Sequence, residues 1–400
     1  MNMTIYLVTG AAGFIGCNFV KYILNKHDNI KVIVLDALTY AGNIASLKEE
    51  IESGKVTFIK GDISDHDLVS RIFEENDIDF VVNFAAESHV DRSITNPRLF
   101  LETNILGTQN MLDCARAAWL TGKDAQGKSM YKAGKKYLQI STDEVYGSLE
   151  KSFDTPHPLD VTDDIKGVIG DRKDLKTYGD TYFTEQTNLA PRSPYSASKT
   201  SADLIVQAYH ETYGLPINIT RCSNNYGPYH FPEKLIPLII NNILQGKKLP
   251  VYGKGENVRD WLYVTDHCKG IDMVLRNGRV GEVYNIGGFN EESNINIVRM
   301  VIDIIARIMR EEPKYQKLLS CPLEAINYDL IEYVTDRPGH DMRYAINPSK
   351  IARELGWYPE TPFSKGIELT VRWNLDNQDW VKSVTSGDYQ QYYDAMYDNR

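Results

Sequence analysis

The sequence predicts an α/β fold, a doubly wound parallel sheet with a smaller C-terminal α/β substrate domain. Three observations predict it. The first half alternates short β-branched runs with longer helical patterns, the signature of βαβ units. Those runs are apolar with little alternation, as strands covered by helices on both faces must be. A glycine loop follows the first run directly and opens a helix, a Rossmann-type arrangement.

Taken in order, strands are predicted at 4–9, 31–36, 56–60, 79–84, 137–141 and 216–221, with helices at 14–26, 97–119 and 196–213. After Arg221 the pattern changes, because Asn224, Asn225, Gly227 and Pro228 interrupt it. A helix from about 233, short strands near 250–252 and 261–264, and helices near 297–309 and 349–355 then predict the smaller domain. The resulting division gives residues 1–225 to the nucleotide-binding domain, with 262–288 returning to it through a strand at 283–286, and 226–261 with 289–400 to the second domain. Two polar stretches, 121–136 and 148–187, read as surface insertions.

Composition excludes several classes of function. With 54 acidic and 44 basic residues the net charge is −10, unlike a nucleic-acid binder, so an anionic ligand must be met by local cations. The five cysteines, 17, 114, 222, 268 and 321, form no CxxC pair, which argues against a disulfide framework or zinc site and for a reducing compartment. No set of His, Cys and carboxylates has metal spacing, so no metal is expected. The N-terminus lacks a basic n-region and reads as a strand. Nowhere do ~18 apolar residues run together, as a membrane span needs. A cytoplasmic protein is expected.

Three motifs carry chemistry. In Gly10-Ala11-Ala12-Gly13-Phe14-Ile15-Gly16 the spacing is GxxGxxG, a variant of the dinucleotide fingerprint. Its glycines allow a tight turn and close approach of a pyrophosphate to a helix N-terminus, although ordinary strand-to-helix turns also use glycine. Asp36 ends the next strand, where a carboxylate can hold a ribose diol and repel a 2′-phosphate. The pair favours NAD over NADP. Asp62 and Ile63, just past the third strand, either contact adenine or form a plain turn.

In Ser193-Pro194-Tyr195-Ser196-Ala197-Ser198-Lys199, a cap at Ser193 and Pro194 at the helix start place Tyr195 and Lys199 on one helix face. A neighbouring ammonium favours the phenolate, so Tyr195 is expected to have a lowered pKa and to act as a base; the plainer alternative is a surface pair. Thr142, Asp143 and Glu144 follow an apolar strand, at the sheet edge where ligands sit. A turn beginning near Thr142 lets both carboxyl groups converge and split their pKa values into an acid and a base. The alternative is a capping Asp followed by a solvated Glu.

With these motifs assembled, the chain resembles the extended short-chain dehydrogenase/reductases, and among them the dTDP-glucose 4,6-dehydratases. The resemblance runs from Thr4 to about Tyr393 and includes 83–93, 141–147, 221–228 with 231–234, 257–261 and 336–341. It implies NAD as cofactor, dTDP-glucose as substrate, a lyase reaction in deoxysugar biosynthesis, and a homodimer. It implies that Thr142 is the hydroxyl beside Tyr195, and that Asp143 and Glu144 are the dehydratase acid and base. Ala85, Ala86, Ser88 and His89 fall in the stretch lining cofactor and sugar. Asn225, Lys234, Arg259, Asn294 and Arg337, with His340, fall in segments that hold the nucleoside diphosphate. Charge-assisted contacts from Arg259 and Arg337 would let an acidic protein bind a diphosphate. Either arginine alone, and His89 or His340, is also compatible with an ordinary surface or salt-bridge role. The insertion around 148–180 departs from the family pattern. Two rival functions remain: an epimerase or decarboxylase of the same superfamily, which needs no Asp143-Glu144 pair, and a non-enzymatic NAD-binding scaffold.

Overall fold

The computed structural model describes residues 3–170, 172–336 and 340–385. Seven strands form the central sheet: β1 (Thr4–Thr9), β2 (Ile30–Asp36), β3 (Val56–Lys60), β4 (Phe80–Asn83), β5 (Lys136–Thr142), β6 (Ile217–Cys222) and β7 (Val283–Ile286). Their spatial order is β7-β6-β5-β4-β1-β2-β3, and every pairing is parallel. Thr9 aligns with both Leu35 and Asn83, and Thr142 with Cys222, so the carboxyl ends share one edge. Strand order reverses between β1 and β4, which is where a doubly wound sheet opens its crevice.

Alternate residues of each strand feed two cores. Tyr6, Val8, Val32, Val34, Val82 and Leu138 pack under Phe19, Val20 and Ile23 of α1 (Phe14–Lys26) and under Ile271 and Val274 of the helix Val264–Asn277. Leu7, Ile33, Leu35 and Val81 pack on the other face against Ile72, Met111, Leu112, Trp119 and Val206. A third core joins Ile236, Ile239 and Ile243 of the helix Leu235–Gln245 to Ile297, Val301 and Ile305 of Asn294–Glu311 and to Ile367 of Phe363–Asp376. A three-stranded sheet, Asn224–Tyr226, Val258–Tyr263 and Glu291–Ser293, connects this layer to the sheet edge.

Two sequence expectations need correction. The helix read over 97–119 is interrupted: Pro97–Leu101 passes through a π-helical turn, Glu102–Gly107, before Thr108–Trp119. The wider turn carries Asn104 inward, where its side chain accepts from Glu87 N at 2.9 Å and donates to Glu87 O at 3.0 Å and Ser198 Oγ at 2.8 Å. Such bulges recur at functional sites. The stretch 148–187 is also more than a surface insertion. Ile165, Ile169 and Leu175 are buried with Phe289 and Ala352, and Phe183 packs with Val145, Tyr146, Tyr344 and Ile346. Its anchor is Arg343, fully buried, which grips Glu291 with two nitrogens at 2.7 and 2.8 Å and donates to Thr181 O at 2.8 Å. Glu291 in turn accepts from Tyr178 N and Thr177 Oγ1.

Candidate active site

The crevice above β1 and β4 is a cleft of about 360 Å³, within the usual size of small-molecule sites. Its floor is the glycine loop. Gly10 has φ +65°, and a Cβ there would meet Ala85 N at 2.6 Å; at Gly16 a Cβ would meet Ala11 Cα at 2.7 Å. Side chains are therefore excluded where a ligand must approach the backbone. Thr9 Oγ1 donates to Asn83 Oδ1 at 2.5 Å and accepts from Ala85 N, and Asn83 donates to Gln139 Oε1 at 2.9 Å. This buried network locks the ends of β1, β4 and β5 in register.

Of the residues singled out in the sequence, Gly10, Gly13, Phe14, Ile15, Gly16, Asp36, Asp62, Ile63, Ala85, Ala86, Ser88, Thr142, Asp143, Glu144, Tyr195, Lys199, Asn225 and Lys234 all line this one cleft. Asp36 accepts from Ala12 N and Leu38 N, both at 2.8 Å, which ties the glycine loop to the end of β2. Burial pushes its carboxyl up, against those two amides. Asp62 accepts from Ser64 N at 2.8 Å in a local turn, and Ile63 O accepts from Asn110 at 2.7 Å.

The helix Pro194–Tyr213 starts as its sequence predicts, with Ser193 capping Ser196 N at 3.0 Å in a capping box and Pro194 in the first turn. Tyr195 and Lys199 follow on one face, both buried. The expected lowering of the Tyr195 pKa is not found. Burial pushes this hydroxyl well above its ordinary value, and Glu144, Cys222 and Asp143 push the same way, while a hydrogen bond with Thr142 opposes them. Burial also lowers the Lys199 pKa, and its Nζ donates to Ile140 O at 2.7 Å. Desolvation of the charged form is the largest cause of each shift.

Thr142 caps a 3₁₀ turn, Asp143–Tyr146, accepting from Glu144 N at 3.3 Å. This turn brings both carboxylates to the cleft instead of to opposite faces of a strand. Asp143 is 2% exposed, and its Oδ2 has no hydrogen-bond partner among the described residues. Burial pushes its carboxyl well up, with Glu144 and Asp260 adding to the shift and Arg259 opposing it. Both the burial and the neighbouring carboxylates favour the protonated form, the form a general acid uses.

Of the remaining predicted ligand residues, His89, Arg259, Asn294 and His340 lie outside the lining of this cleft. His89 Nε2 is 3.8 Å from Glu233. Arg259 donates to Asp341 O at 3.0 Å and Val258 O at 2.7 Å and lies 4.2 Å over the Tyr344 ring. Asn294 opens its helix with N donating to Asn257 O, and His340 Nδ1 is 2.6 Å from Asp336. Arg337 lies outside the described residues. The cleft also contains residues the sequence reading did not single out as ligands: Tyr40, Thr103, Ser223, His230 and Glu233. Among the described residues no group of three or more His, Cys, Asp or Glu is placed to hold a metal, and no helix is long and apolar enough to cross a membrane.

Residues 6–287 match the model of the NAD dependent epimerase/dehydratase family. The chain belongs to that family. It is 47% identical over 394 residues to a dTDP-glucose 4,6-dehydratase of Shigella flexneri, covering 98% of this chain and 99% of the relative. Among solved structures it is similar to dTDP-glucose 4,6-dehydratase from Bacillus anthracis in complex with NAD, at a TM-score of 0.75, 43% identity and coverage of 95% and 99%. The enzyme of the same name from Streptomyces venezuelae with NAD and TYD bound aligns at a TM-score of 0.77 and 40% identity, covering 95% of this chain and 100% of that one. The epimerase/dehydratase fold thus extends over nearly the whole chain, and the cradle at Gly10–Gly16 with Asp36 beside it fits the dinucleotide after which the family is named.

Proposed function

We propose that the chain dehydrates dTDP-glucose to dTDP-4-keto-6-deoxyglucose with a bound NAD that is regenerated in each turnover. The observation that carries this reading is Asp143: a buried carboxyl whose pKa is pushed up, beside Glu144 in the same cleft as Tyr195 and Lys199. Epimerisation has no water to expel and no use for such a pair.

NAD, when bound on the glycine loop, supplies the acceptor that takes hydrogen from C4 and later returns it to C6. The chain's own groups move the protons. Tyr195, hydrogen-bonded to Thr142, takes the proton of the C4 hydroxyl. The C4 carbonyl acidifies C5–H; Glu144 removes that proton, and Asp143 gives its own to the departing C6 hydroxyl, which leaves as water. C5 is then reprotonated as hydrogen returns to C6. Lys199 is anchored to the end of β5 by donating to Ile140 O. Ser88, His89, Asn225, Lys234, Arg259, Asn294, Arg337 and His340 are assigned to the sugar nucleotide, and Asp36, Asp62, Ile63, Ala85 and Ala86 to the dinucleotide.

The division into residues 1–225 with 262–288, and 226–261 with 289–400, follows the same logic: the first part holds the glycine loop and Asp36, and the second holds Lys234, Arg259, Asn294, Arg337 and His340 of the residues assigned to the sugar nucleotide. A homodimer is proposed through the helical segments 90–107 and 194–213, which expose the large apolar side chains Ile94, Leu101, Leu106 and Leu204. The cytoplasm is the compartment that fits five free cysteines. Incubation with dTDP-glucose tests the reading: a 4-keto-6-deoxy nucleotide sugar is expected, and a C4 epimer instead would replace it with the epimerase alternative.

A further inference from the structure

His230 is a cleft residue to which the proposed chemistry gives no role. It is 8% exposed, and its Nδ1 has no hydrogen-bond partner among the described residues. Leaving such a group bare costs stability, so its retention at a ligand cleft points to a ligand. Burial and the neighbouring Lys234 hold the imidazole neutral, its pKa lowered to about 3. A neutral imidazole offers one N–H donor and one acceptor.

Its position is set from three sides. The ring stacks on Phe14, centroids 4.5 Å apart, and Phe14 is the first residue of α1, the helix whose N-terminus the glycine loop presents. Asn18 of α1 donates to Pro228 O at 2.9 Å, fastening the 227–230 loop to the same helix. Tyr229 adopts φ +63°, uncommon for a bulky residue, and its ring packs against Trp373 and Trp380 at 4.6 and 5.5 Å. The second half of the chain thereby turns an imidazole over the N-terminus of α1, where free backbone N–H groups and the helix dipole favour a phosphate.

We infer that His230 donates a hydrogen bond to the phosphate held at the N-terminus of α1, closing the dinucleotide diphosphate from the side opposite the glycine loop. This rests on the reading of the cleft as an NAD site. The contact couples cofactor retention to the 227–230 loop that leads into the second domain.

The test is ligand binding by cofactor-stripped protein, with ADP-ribose and adenosine as probes. H230F keeps the stack on Phe14 without the donor, H230M removes both, and H230Q restores a donor. A hydrogen bond to a charged group predicts that ADP-ribose affinity falls about 10-fold or more in H230F and H230M and recovers in H230Q, with adenosine affinity unchanged. Wild-type ADP-ribose affinity in H230F or H230M, or an equal loss for adenosine, would overturn the inference. Failure of the wild-type protein to bind ADP-ribose at all would instead overturn the NAD reading.

Discussion

Asp143 and Tyr195 are both pushed up in pKa, yet the proposed roles use them in opposite protonation states. Tyr195 must lose its proton before C4 is oxidised, so single-turnover oxidation should accelerate as pH rises. Asp143 must keep its proton until elimination, so the elimination should slow as pH rises through its raised pKa. Stopped-flow profiles of the two half-reactions with opposite slopes are expected; parallel slopes would remove one of the assignments. The same shift makes a stability prediction. A carboxyl whose folded pKa exceeds its unfolded value, about 3.9, penalises folding progressively as pH rises above that value, and below it the penalty vanishes. Asp143→Asn should therefore raise Tm at pH 8 and leave it unchanged at pH 3, and a lowered Tm at pH 8 would contradict the protonated acid. Asp36 belongs to the same scale. Asp36→Ala loses both the ribose acceptor and the tie to Ala12 N, so calorimetric titration should show weaker NAD binding and a narrowed preference over NADP.

Arg343 shows how elements are held around the site. Its pairing with Glu291 is fully desolvated, and breaking such a pair from one side leaves a buried charge at a cost of about 3–5 kcal/mol. Arg343→Met should lower urea stability by that order and open 148–187 to proteolysis, whereas adding Glu291→Leu should recover much of the loss. A single variant as stable as wild type would show that the clasp contributes little. This element was not legible beforehand. Residues 148–187 read as polar because their buried apolar residues are few: only Ile165 and Ile169 of the short helix Asp163–Ile169 stand at helical spacing, Leu175 and Phe183 are isolated, and the arginine that clasps the segment lies far along the chain. The central strands were legible for the opposite reason: helices cover both faces, and runs such as 31–36 leave no other reading. The glycine loop and the Ser193 cap were local signals. The direction of the Tyr195 pKa shift was misjudged because spacing reports that a lysine is near but not how dry both groups are. The sequence showed 231–234 as a motif, while His230 and Glu233 as cleft walls depend on how that loop folds back over α1.

At the scale of the whole molecule, exposed Ile94, Leu101, Leu106 and Leu204 lie on the helical segments 90–107 and 194–213, which pack on one another. Light scattering should find a dimer that Leu106→Arg with Leu204→Arg converts to monomer with its secondary structure intact; an unchanged mass would place the interface elsewhere. The central claim, that two carboxylates divert a shared oxidation into dehydration, is tested most directly by following hydrogen from C4. Given dTDP-glucose deuterated at C4, the wild-type protein should deliver that deuterium to C6 of the same molecule, with solvent hydrogen entering only at C5. Asp143→Asn and Glu144→Gln should each stop at the undehydrated 4-keto sugar. Deuterium returned to C4 with inversion, or either variant dehydrating at the wild-type rate, would contradict the account.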